Sequence, residues 1–510
     1  MRPRTLLIVL GLVSLALYAA MWRLSYQFNW GEGYPDRPIL TYLAIYAGLF
    51  ACYAGAAALA LRQKIHDARL FWIMIVFGLL FRAVLIPAQQ IQEDDVYRYL
   101  WDGKVAAHGI NPYKFAPAEV TRFKEFMIRD PKGFEEMYDT KSTAELALLH
   151  DLKWQTPESL VYQERINHPG VATIYPPLAQ LVFLAGHAIQ PDSILTLRLL
   201  FGLFDLLALV FLVWMLDALG MNRLGVLIYF WCPLVIKETY NSTHLDIIGI
   251  AMLCGALCFV ARRRYLAATG MLAFSVVGKL YPAVLLPLLL QQQWRTEDSR
   301  IKNPWLRCGL SVAVFAALVR AFYLPFMDIG SQTFSGLREY ATRWQQNDSL
   351  FALIQGFFRL FVESQASVPF APDLPSLLAK ITVAVLLGAA MLYLLFWRKK
   401  REPQDAKADS NGRAALEPLF YIMALVFLLS PVQNPWYLCW LVPFLCIFPW
   451  RSGILLTGLV GLYYLDFYWD YQDLKSYAAW TPWLEYTPFY LALAWEWMKN
   501  WRDKYSPSSC

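Results

Sequence analysis

Charged side chains are scarce in this sequence. Asp, Glu, Lys and Arg make up 16% of its 510 residues, whereas soluble proteins carry about 25%. Hydrophobic residues make up 58%, the mean hydropathy is +0.37, and several apolar runs approach the roughly 20 residues that span a bilayer. This composition excludes a soluble globular protein and predicts an all-α polytopic membrane protein.

Cysteine is absent from the long polar segments. Seven of the eight cysteines lie in or beside apolar runs, and the eighth is Cys510. This distribution excludes a disulfide framework and a cysteine-based zinc site. The net charge of +6 comes mainly from segments predicted to be cytosolic, so it indicates topology and gives no support to nucleic-acid binding.

Basic residues predict which side of the membrane each segment occupies. Arg2 and Arg4 place the N-terminus inside, and because no Ala-x-Ala site follows, we expect an uncleaved first helix. The third helix then delivers Asp94 and Asp95 to the outside. The following loop, 89–174, has fourteen acidic and ten basic residues, which agrees with an external face.

The position of later basic clusters constrains the number of crossings. Arg262-Arg263-Arg264 and Arg398-Lys399-Lys400-Arg401 are expected inside. Because Asp95 is expected outside, an odd number of crossings separates it from the first cluster. Four apolar runs lie between them (175–190, 195–217, 224–240 and 244–261), so one of the four does not cross. We assign this role to 175–190, which is only about 24 Å long as a helix. About fourteen transmembrane helices result, short hairpin helices included. The predicted segments are N-terminal transmembrane helices (1–88), a long external loop that carries the candidate site (89–174), a transmembrane core with polar hairpin apices (175–325), a second external loop (326–375) and C-terminal transmembrane helices (376–510).

Two adjacent carboxylates, Asp94 and Asp95, follow an apolar run. Carboxylates at the mouth of an apolar helix are costly to keep charged unless they face water or a cation. They can act as a general base or position a hydroxyl group or a cation. A solvated turn beside the membrane is the alternative, but Tyr97, Arg98 and Tyr99 add aromatic faces and a cation that suit a sugar phosphate.

Three further polar stretches interrupt apolar runs. Each is expected at the apex of a hairpin, and the hairpins are 224–240 with 244–261, 265–291, and 417–449. Non-helical backbone at membrane depth is tolerated only against protein or a water-filled cavity, so three apices on one side predict a shared external cavity. The candidate substrate contacts at these apices are Asn241, His244, Asp246, Gln433, Asn434, Trp436 and Tyr437.

Two of these apices leave alternatives open. His244 and Asp246 form a metal site only with a third ligand, Asp94 or Asp95. The alternative is a neutral histidine that forms a hydrogen bond to a substrate hydroxyl group. We expect no cofactor and no metal. Lys279 needs a counter-charge within its apolar run. It is either a ligand for a lipid phosphate or a structural lysine whose amine reaches the membrane surface.

The motifs occur in an order that resembles a known enzyme class. Asp95-x-x-Arg98-Tyr99, Gly109-x-Asn111-Pro112-Tyr113, Tyr175-Pro-Pro-Leu and Lys279-x-x-Pro282 resemble the GT-C glycosyltransferases, above all the bacterial mannosyltransferases that use polyprenyl-phosphate mannose. The aminoarabinose transferases of lipid A share the acidic-x-x-Arg-Tyr part. The resemblance implies a GT-C-like helical bundle in the inner membrane with its active site on the periplasmic side.

The resemblance also implies residue roles. Asp95, helped by Asp94, would take the proton of the acceptor hydroxyl, while Lys279 and Arg98 would bind the donor phosphate. The other substrate contacts would be Tyr97, Tyr99, Asn111, Tyr113 and Tyr175, together with the apex residues. The expected partners are a polyprenyl-phosphate sugar, a lipid or glycan acceptor and membrane lipids, with no nucleic acid.

Two other functions share some of these features. A transporter or flippase of polyprenyl-linked sugars also has polar sites at broken helices, but it does not require an external acidic pair. A polymerase or ligase that uses a diphosphate-linked donor would need several Arg or Lys side chains at the site. Donors that carry glucose, galactose or arabinose are the alternatives to mannose.

Overall fold

The computed structural model describes residues 2–62, 67–296, 301–362, 373–397 and 412–505. In these residues the structure is helical, and the one β-type pairing is an isolated bridge between Gln346 and Val432. The predicted all-α membrane class is therefore confirmed. The predicted cytosolic cluster Arg398–Arg401 lies outside the described residues.

Three long helices form the N-terminal part. They are α1 (Pro3–Ser25), α2 (Ile39–Arg62) and α3 (Ala68–Leu85). Asp67 starts α3 as its N-cap, because its side chain accepts hydrogen bonds from the backbone N–H groups of Arg69 and Leu70. Helix α1 packs against both α2 and α3, so the chain enters the candidate site from a packed three-helix unit.

The first predicted external loop is itself a folded helical unit. Its helices are α4 (Asp95–Ala107), α5 (Pro117–Arg129), α6 (Pro131–Met137), α7 (Thr140–Lys153) and α8 (Pro157–Glu164). Proline at the first position of α5, α6 and α8 fits a helix start, where no backbone donor is needed. Nearly all side chains of α4 are buried, so this helix fixes the residues around Asp95 firmly.

The central part contains the broken helices that the polar apices predicted. Its helices are α9 (Pro177–Ile189), α10 (Ile194–Ala218), α11 (Leu227–Phe230), α12 (Pro233–Tyr240), α13 (Asp246–Ala261), α14 (Tyr265–Gly278) and α15 (Leu286–Arg295). The chain breaks between α12 and α13, where Thr243 adopts a positive φ of 59°. It breaks again at Lys279, the C-cap of α14.

The remaining helices complete the bundle. They are α16 (Pro304–Tyr323), α17 (Ser335–Arg343), α18 (Leu350–Arg359), α19 (Leu374–Leu392), α20 (Arg413–Leu429), α21 (Pro435–Leu438), α22 (Val442–Leu445), α23 (Arg451–Leu459), α24 (Leu465–Tyr471) and α25 (Thr481–Tyr505). The third predicted hairpin appears as the break between α20 and α21. Its extended backbone is held by Gln346, whose N–H donates to the carbonyl of Pro431 and whose carbonyl accepts from the N–H of Gln433.

Six helical segments among the described residues are long and apolar enough to cross a membrane by length and composition. They are Pro3–Ser25, Tyr34–Arg62, Ala68–Leu85, Ile194–Ala218, Pro304–Arg343 and Leu374–Phe396. Four shorter apolar helices accompany them, and α9, α13 and α14 are among these. The chain is thus a polytopic membrane protein, while the count of about fourteen crossings stays a prediction. The 13 residues of α9 reach only about 20 Å, less than the roughly 30 Å of a bilayer core.

A buried ion pair ties two of these long helices together. Arg82 of α3 lies with its Nε 2.5 Å from Oδ2 of Asp205 on α10, and both side chains are almost fully buried. Tyr229 and Tyr240 donate further hydrogen bonds to the carboxylate of Asp205. The pair is fully surrounded by partners, as a structural charge in an apolar interior must be.

Candidate active site

Asp94 and Asp95 are joined by a single amide group. Asn167 Nδ2 donates to Oδ1 of Asp94 at 2.8 Å and to Oδ1 of Asp95 at 2.7 Å. Among the described residues, no lysine or arginine forms an ion pair with either carboxylate. The two acids therefore share one neutral hydrogen-bond donor and remain half-buried.

The environment of Asp94 suits proton exchange near neutral pH. Burial raises the pKa of Asp94 from 3.8 to about 7, and the neighbouring charge of Asp95 adds to this rise against the Asn167 hydrogen bond. A carboxyl group with such a pKa changes its protonation state at physiological pH. Asp94 can thus gain or lose a proton at the pH where a general base must work.

A cavity of about 780 Å³ opens beside Asp94. This volume lies within the range of about 300–1,000 Å³ that is usual for small-molecule sites. Its wall contains three arginines and several aromatic side chains, namely Arg37, Arg165, Arg198, Trp30, Tyr34, Tyr97, Tyr162, Phe467 and Tyr471. Sugar-binding and anion-binding chemistry are therefore present next to the acidic pair.

Asn167, Arg37 and Arg165 are candidate functional residues that the sequence analysis missed. Asn167 directly precedes His168, in the segment that leads to Tyr175-Pro-Pro, and this position is the one available signal. Nothing in the sequence indicates that Arg37, near the start of α2, lies in one cavity with Arg165. Their contacts join parts of the chain that are far apart in sequence.

All three predicted apices meet at a second charged group, since Asp246, Lys279 and Tyr437 each come from a different one. Lys279 Nζ lies 2.6 Å from Oδ2 of Asp246, and Trp440 Nε1 donates to the other carboxylate oxygen at 2.6 Å. The ammonium group also lies 4.3 Å from the ring centre of Tyr437, whose hydroxyl is 2.8 Å from that of Tyr340. Lys279 has the counter-charge that it needs, and its side chain remains 18% exposed.

His244 lies beside two buried glutamates, Glu93 and Glu238. Its Nε2 is 3.6 Å from Oε2 of Glu93 and 3.8 Å from Oε2 of Glu238, and its ring centre is 4.0 Å from that of Trp436. Lys237 already supplies a cation to this buried cluster, 3.2 Å from Glu238. No group of three or more metal-ligating side chains with suitable geometry occurs in the part of the chain that the structure describes.

Asn241 and Gln433 are fully buried in backbone hydrogen bonds. Asn241 accepts from the N–H of Ile91 at 3.1 Å and donates to the carbonyl of Gln89 at 2.6 Å, so it fixes the segment just before the acidic pair. Gln433 donates to the carbonyls of Leu428 and Ser430, at 2.9 and 3.1 Å. These contacts argue for positioning roles and against the predicted direct sugar contacts. Asn434 differs, because its buried Oδ1 has no hydrogen-bond partner among the described residues.

Arg98 is placed differently from the predicted phosphate ligand. Its Nε lies 3.0 Å from Asp102, its Nη2 donates to the carbonyl of Val171 at 2.7 Å, and its side chain is 7% exposed. Because the guanidinium group is neutralised and buried, this placement argues against a phosphate contact and for a role in holding the loop end on α4. Burial raises the pKa of Asp102, and the nearby Arg98 opposes that rise.

The predicted aromatic contacts of α4 fall on different sides of the acidic pair. Tyr97 lines the cavity, and its hydroxyl accepts a hydrogen bond from Arg165 at 3.0 Å. Tyr99 stacks on Phe183 at 4.7 Å between ring centres, and its hydroxyl is 3.5 Å from Oδ2 of Asp95. Tyr175 packs edge-on against Tyr99 at 5.1 Å.

Asn111 and Tyr113 join the external loops to one another. The amide of Asn111 donates to the carbonyl of Phe326 at 2.9 Å and at 2.5 Å to the side chain of Asp328, in the second predicted external loop. The hydroxyl of Tyr113 donates to the carbonyl of Tyr175 at 2.6 Å. Both residues therefore tie the first predicted external loop to neighbouring segments, and Tyr113 is buried whereas Asn111 is partly exposed.

One comparison with known proteins gives a match. A family model described as "Glycosyltransferase family 87" matches residues 173–431, just over half of the chain. No curated protein and no solved structure matches the chain. The matched segment includes Tyr175, Asp246 and Lys279, whereas Asp94 and Asp95 precede it.

Proposed function

The chain belongs to glycosyltransferase family 87, a membrane glycosyltransferase family of the GT-C type, and from this premise we propose that it uses a polyprenyl-phosphate sugar, mannose being the sugar that the motifs favour. The acceptor is a lipid or glycan. Transfer takes place on the external face of the inner membrane and inverts the anomeric configuration. The observation that carries this proposal is the half-buried pair Asp94–Asp95, bridged by Asn167 at the wall of the 780 Å³ cavity.

The acidic pair acts on the acceptor. Asp95 takes the proton of the acceptor hydroxyl group while the oxygen of that hydroxyl group forms a bond to the anomeric carbon of the donor sugar. The bond between that carbon and the phosphate oxygen breaks, and its electron pair leaves with the lipid phosphate. Asp94 helps to hold Asp95 in place, because both carboxylates accept from the same amide group of Asn167.

The leaving group is a lipid monophosphate whose negative charge grows during the reaction. Lys279 is the proposed cation for it, since its amine is partly exposed and lies over the ring of Tyr437. Asp246 and Trp440 hold the amine and its counter-charge in place before the donor arrives. Arg98 is not part of this proposal because Asp102 and Val171 occupy it.

Transfer of radiolabelled sugar in proteoliposomes tests the function. The purified full chain is expected to transfer label from polyprenyl-phosphate mannose to acceptors in a lipid and glycan extract. Movement of the intact donor across the bilayer without transfer would favour a flippase, and transfer from only a diphosphate-linked donor would favour a polymerase or ligase. Polyprenyl-phosphate glucose and arabinose serve as matched donors, and a preference for one of them would correct the assignment of mannose.

Cysteine labelling tests the proposed orientation. In right-side-out vesicles an impermeant reagent is expected to label a cysteine placed at Glu158 in the first external loop and to leave one at Arg263 unlabelled. The opposite pattern would place the acidic pair inside the cell and remove the external active site from the proposal.

A further inference from the structure

Arg165 forms no ion pair among the described residues, although it lines the same cavity as the carboxyl groups of Glu93 and Asp94. Its Nη1 donates to the hydroxyl of Tyr97 at 3.0 Å, and its guanidinium group lies 5.2 Å from the ring centre of Trp30 and 5.4 Å from that of Tyr97. Its Nε is buried and has no hydrogen-bond partner among the described residues. The aromatic faces hold the group in position, but they leave its Nε donor without an acceptor and its charge without an ion pair among the described residues.

Arg37 supplies a second cation in the same cavity. It donates to the carbonyl of Asn29 at 3.0 Å, to Oε1 of Gln92 at 2.8 Å and to the hydroxyl of Tyr471 at 3.4 Å, all neutral oxygens. Neither Arg37 nor Arg165 forms an ion pair within the described residues, and the two guanidinium groups repel one another. Arg37 is buried and Arg165 is partly buried. The carboxyl group of Asp94 lines the same cavity, and Arg37 lowers its pKa, but it forms no ion pair with either guanidinium group. An anion placed between or beside the two cations is therefore stabilised.

Two other arginines near the site have partners for their guanidinium groups and serve as examples of structural arginines. Arg82 has Asp205 as its counter-charge. Arg198, which also lines the cavity, places its guanidinium donors on backbone carbonyls and the hydroxyl of Thr243. Arg165 has neither a carboxylate partner nor a complete set of acceptors, so a purely structural role does not account for it.

We infer that Arg165, supported by Arg37, binds the anionic group of a lipid-linked substrate in the cavity beside Asp94. The chemistry is that of a phosphate or carboxylate, since a guanidinium group binds both through two parallel N–H donors. Two sources can provide it: the phosphate of the polyprenyl donor, or an anionic headgroup on the acceptor. The inference rests on the proposed function only for the identity of the substrate.

Binding measurements on the full chain in lipid nanodiscs test this site without any need for sugar transfer. One arm titrates a short-chain polyprenyl phosphate against the uncharged polyprenol of the same length. The other arm titrates phosphatidylglycerol, as an anionic headgroup, against phosphatidylcholine. Arg165→Gln is expected to weaken the binding of one anionic probe about 10- to 100-fold, as loss of a charge-assisted hydrogen bond does, and to leave the neutral probes unchanged.

The two arms separate the two sources. A loss confined to polyprenyl phosphate assigns the cation to the donor, and a loss confined to phosphatidylglycerol assigns it to an acceptor headgroup. Unchanged binding in both arms overturns the inference. Arg165→Lys keeps the charge and is expected to bind with intermediate affinity, which also covers the case in which the glutamine variant loses its fold.

A matched control and the transfer assay complete the design. Arg129 lies in the same external loop with a side chain that is 79% exposed, so Arg129→Gln is expected to bind like the wild type. A protein that binds the anionic probe through Arg165 and transfers no sugar contradicts the proposed function alone. A protein whose Arg165→Gln variant transfers sugar with unchanged KM for donor and acceptor contradicts the inference alone.

Discussion

Two carboxylate groups of this protein stand in contrasting surroundings. Asp205 lies inside the helical bundle with Arg82 as its counter-charge at 2.5 Å and with hydrogen bonds from Tyr229 and Tyr240. Asp94 and Asp95 lie at the mouth of the bundle. They have a neutral amide in common and no salt bridge among the described residues.

The difference separates a structural charge from a reactive one. A carboxylate that stabilises the fold is neutralised and saturated with donors, because an unpaired charge in an apolar interior is expensive. A carboxylate that must accept a proton needs a free lone pair and a pKa near the working pH. The acidic pair opens to a cavity through Asp94, which lies beside the proposed base Asp95 and has a pKa of about 7, so the pair fits the second description.

The largest effect is expected from removing the proposed base. Asp95→Asn keeps the size of the side chain but cannot take the proton of the acceptor, so turnover is expected to fall by roughly 10²–10⁴-fold. The thermal unfolding midpoint of the detergent-solubilised variant is expected to stay near that of the wild type. Steady-state transfer from the polyprenyl-phosphate donor measures turnover, and a thermal scan measures the unfolding midpoint.

An exposed acid of the same loop provides the control. Asp151, whose side chain is 74% exposed, is expected to tolerate Asp151→Asn without loss of turnover. Near-normal turnover of Asp95→Asn would show that Asp95 is not the base.

The reverse pattern is expected at the buried pair. Asp205→Asn leaves the buried guanidinium group of Arg82 without its counter-charge, so the free energy of unfolding is expected to fall by about 3–5 kcal/mol. Reversible unfolding in mixed micelles measures this loss. The double variant Arg82→Met with Asp205→Leu removes both charges and is expected to recover most of the stability. An unchanged unfolding free energy for Asp205→Asn would show that Asp205 is not a stabilising carboxylate, and the contrast with Asp94 and Asp95 would be wrong.

The sequence alone predicts the fold class and part of the site. Apolar runs of bilayer length indicate the helices, and charged residues that interrupt them, such as Asp95 and Lys279, indicate where the bundle opens. The structure then pairs Lys279 with Asp246, which were predicted separately in a shared cavity. Local patterns are sufficient here because a charged residue within a membrane-spanning run is costly and therefore rare, so it stands out in the sequence.

The remaining site residues depend on contacts that no local pattern encodes. Asn167 reaches Asp94 across 73 positions of the sequence, within a loop whose composition resembles that of soluble proteins. Arg98 lies in a motif that favours phosphate binding, yet Asp102 one helical turn later neutralises it. Gln433 has the chemistry of a sugar ligand, but its amide is consumed by backbone carbonyls at the hairpin. In each case the tertiary partner decides the role.

Lys279 tests an intermediate case, a charge that is paired and still partly exposed. If it binds the donor phosphate, Lys279→Met is expected to raise the donor KM or lower kcat about 10- to 100-fold and to leave the acceptor KM unchanged. Asp246 loses its counter-charge in this variant, so a loss of stability has to be separated from a loss of binding.

The double variant Lys279→Met with Asp246→Asn makes this separation. It removes the unpaired charge and is expected to restore the unfolding midpoint while the donor defect remains. Recovery of normal donor kinetics in the double variant would assign Lys279 to structure and would move it to the class of Arg82.

The smallest effect is expected from Asp94, and it appears in the pH dependence. With a pKa of about 7, Asp94 gains a proton as the pH falls through neutrality, which removes a negative charge next to the proposed base. The wild-type kcat/KM is therefore expected to decline below a midpoint near pH 7. Asp94→Asn stays neutral at every pH, so it is expected to lose this limb, with a loss of less than about tenfold at pH 8 and little change at pH 6.

The titration of Asp94 is also expected to make the stability of the folded protein depend on pH. Because the pKa of Asp94 in the folded state lies above its ordinary value of 3.8, the folded protein binds the proton more tightly between about pH 4 and pH 7. This contribution to stability is present at low pH and is lost as the pH rises through 7. Asp94→Asn is expected to remove that decline, measured as the unfolding midpoint at pH 5 and pH 8, whereas Asp151→Asn keeps it. A variant that retains both the kinetic limb and the decline in stability would show that another group titrates, and the contrast between the saturated and the open carboxylate would then rest on Asp95 alone.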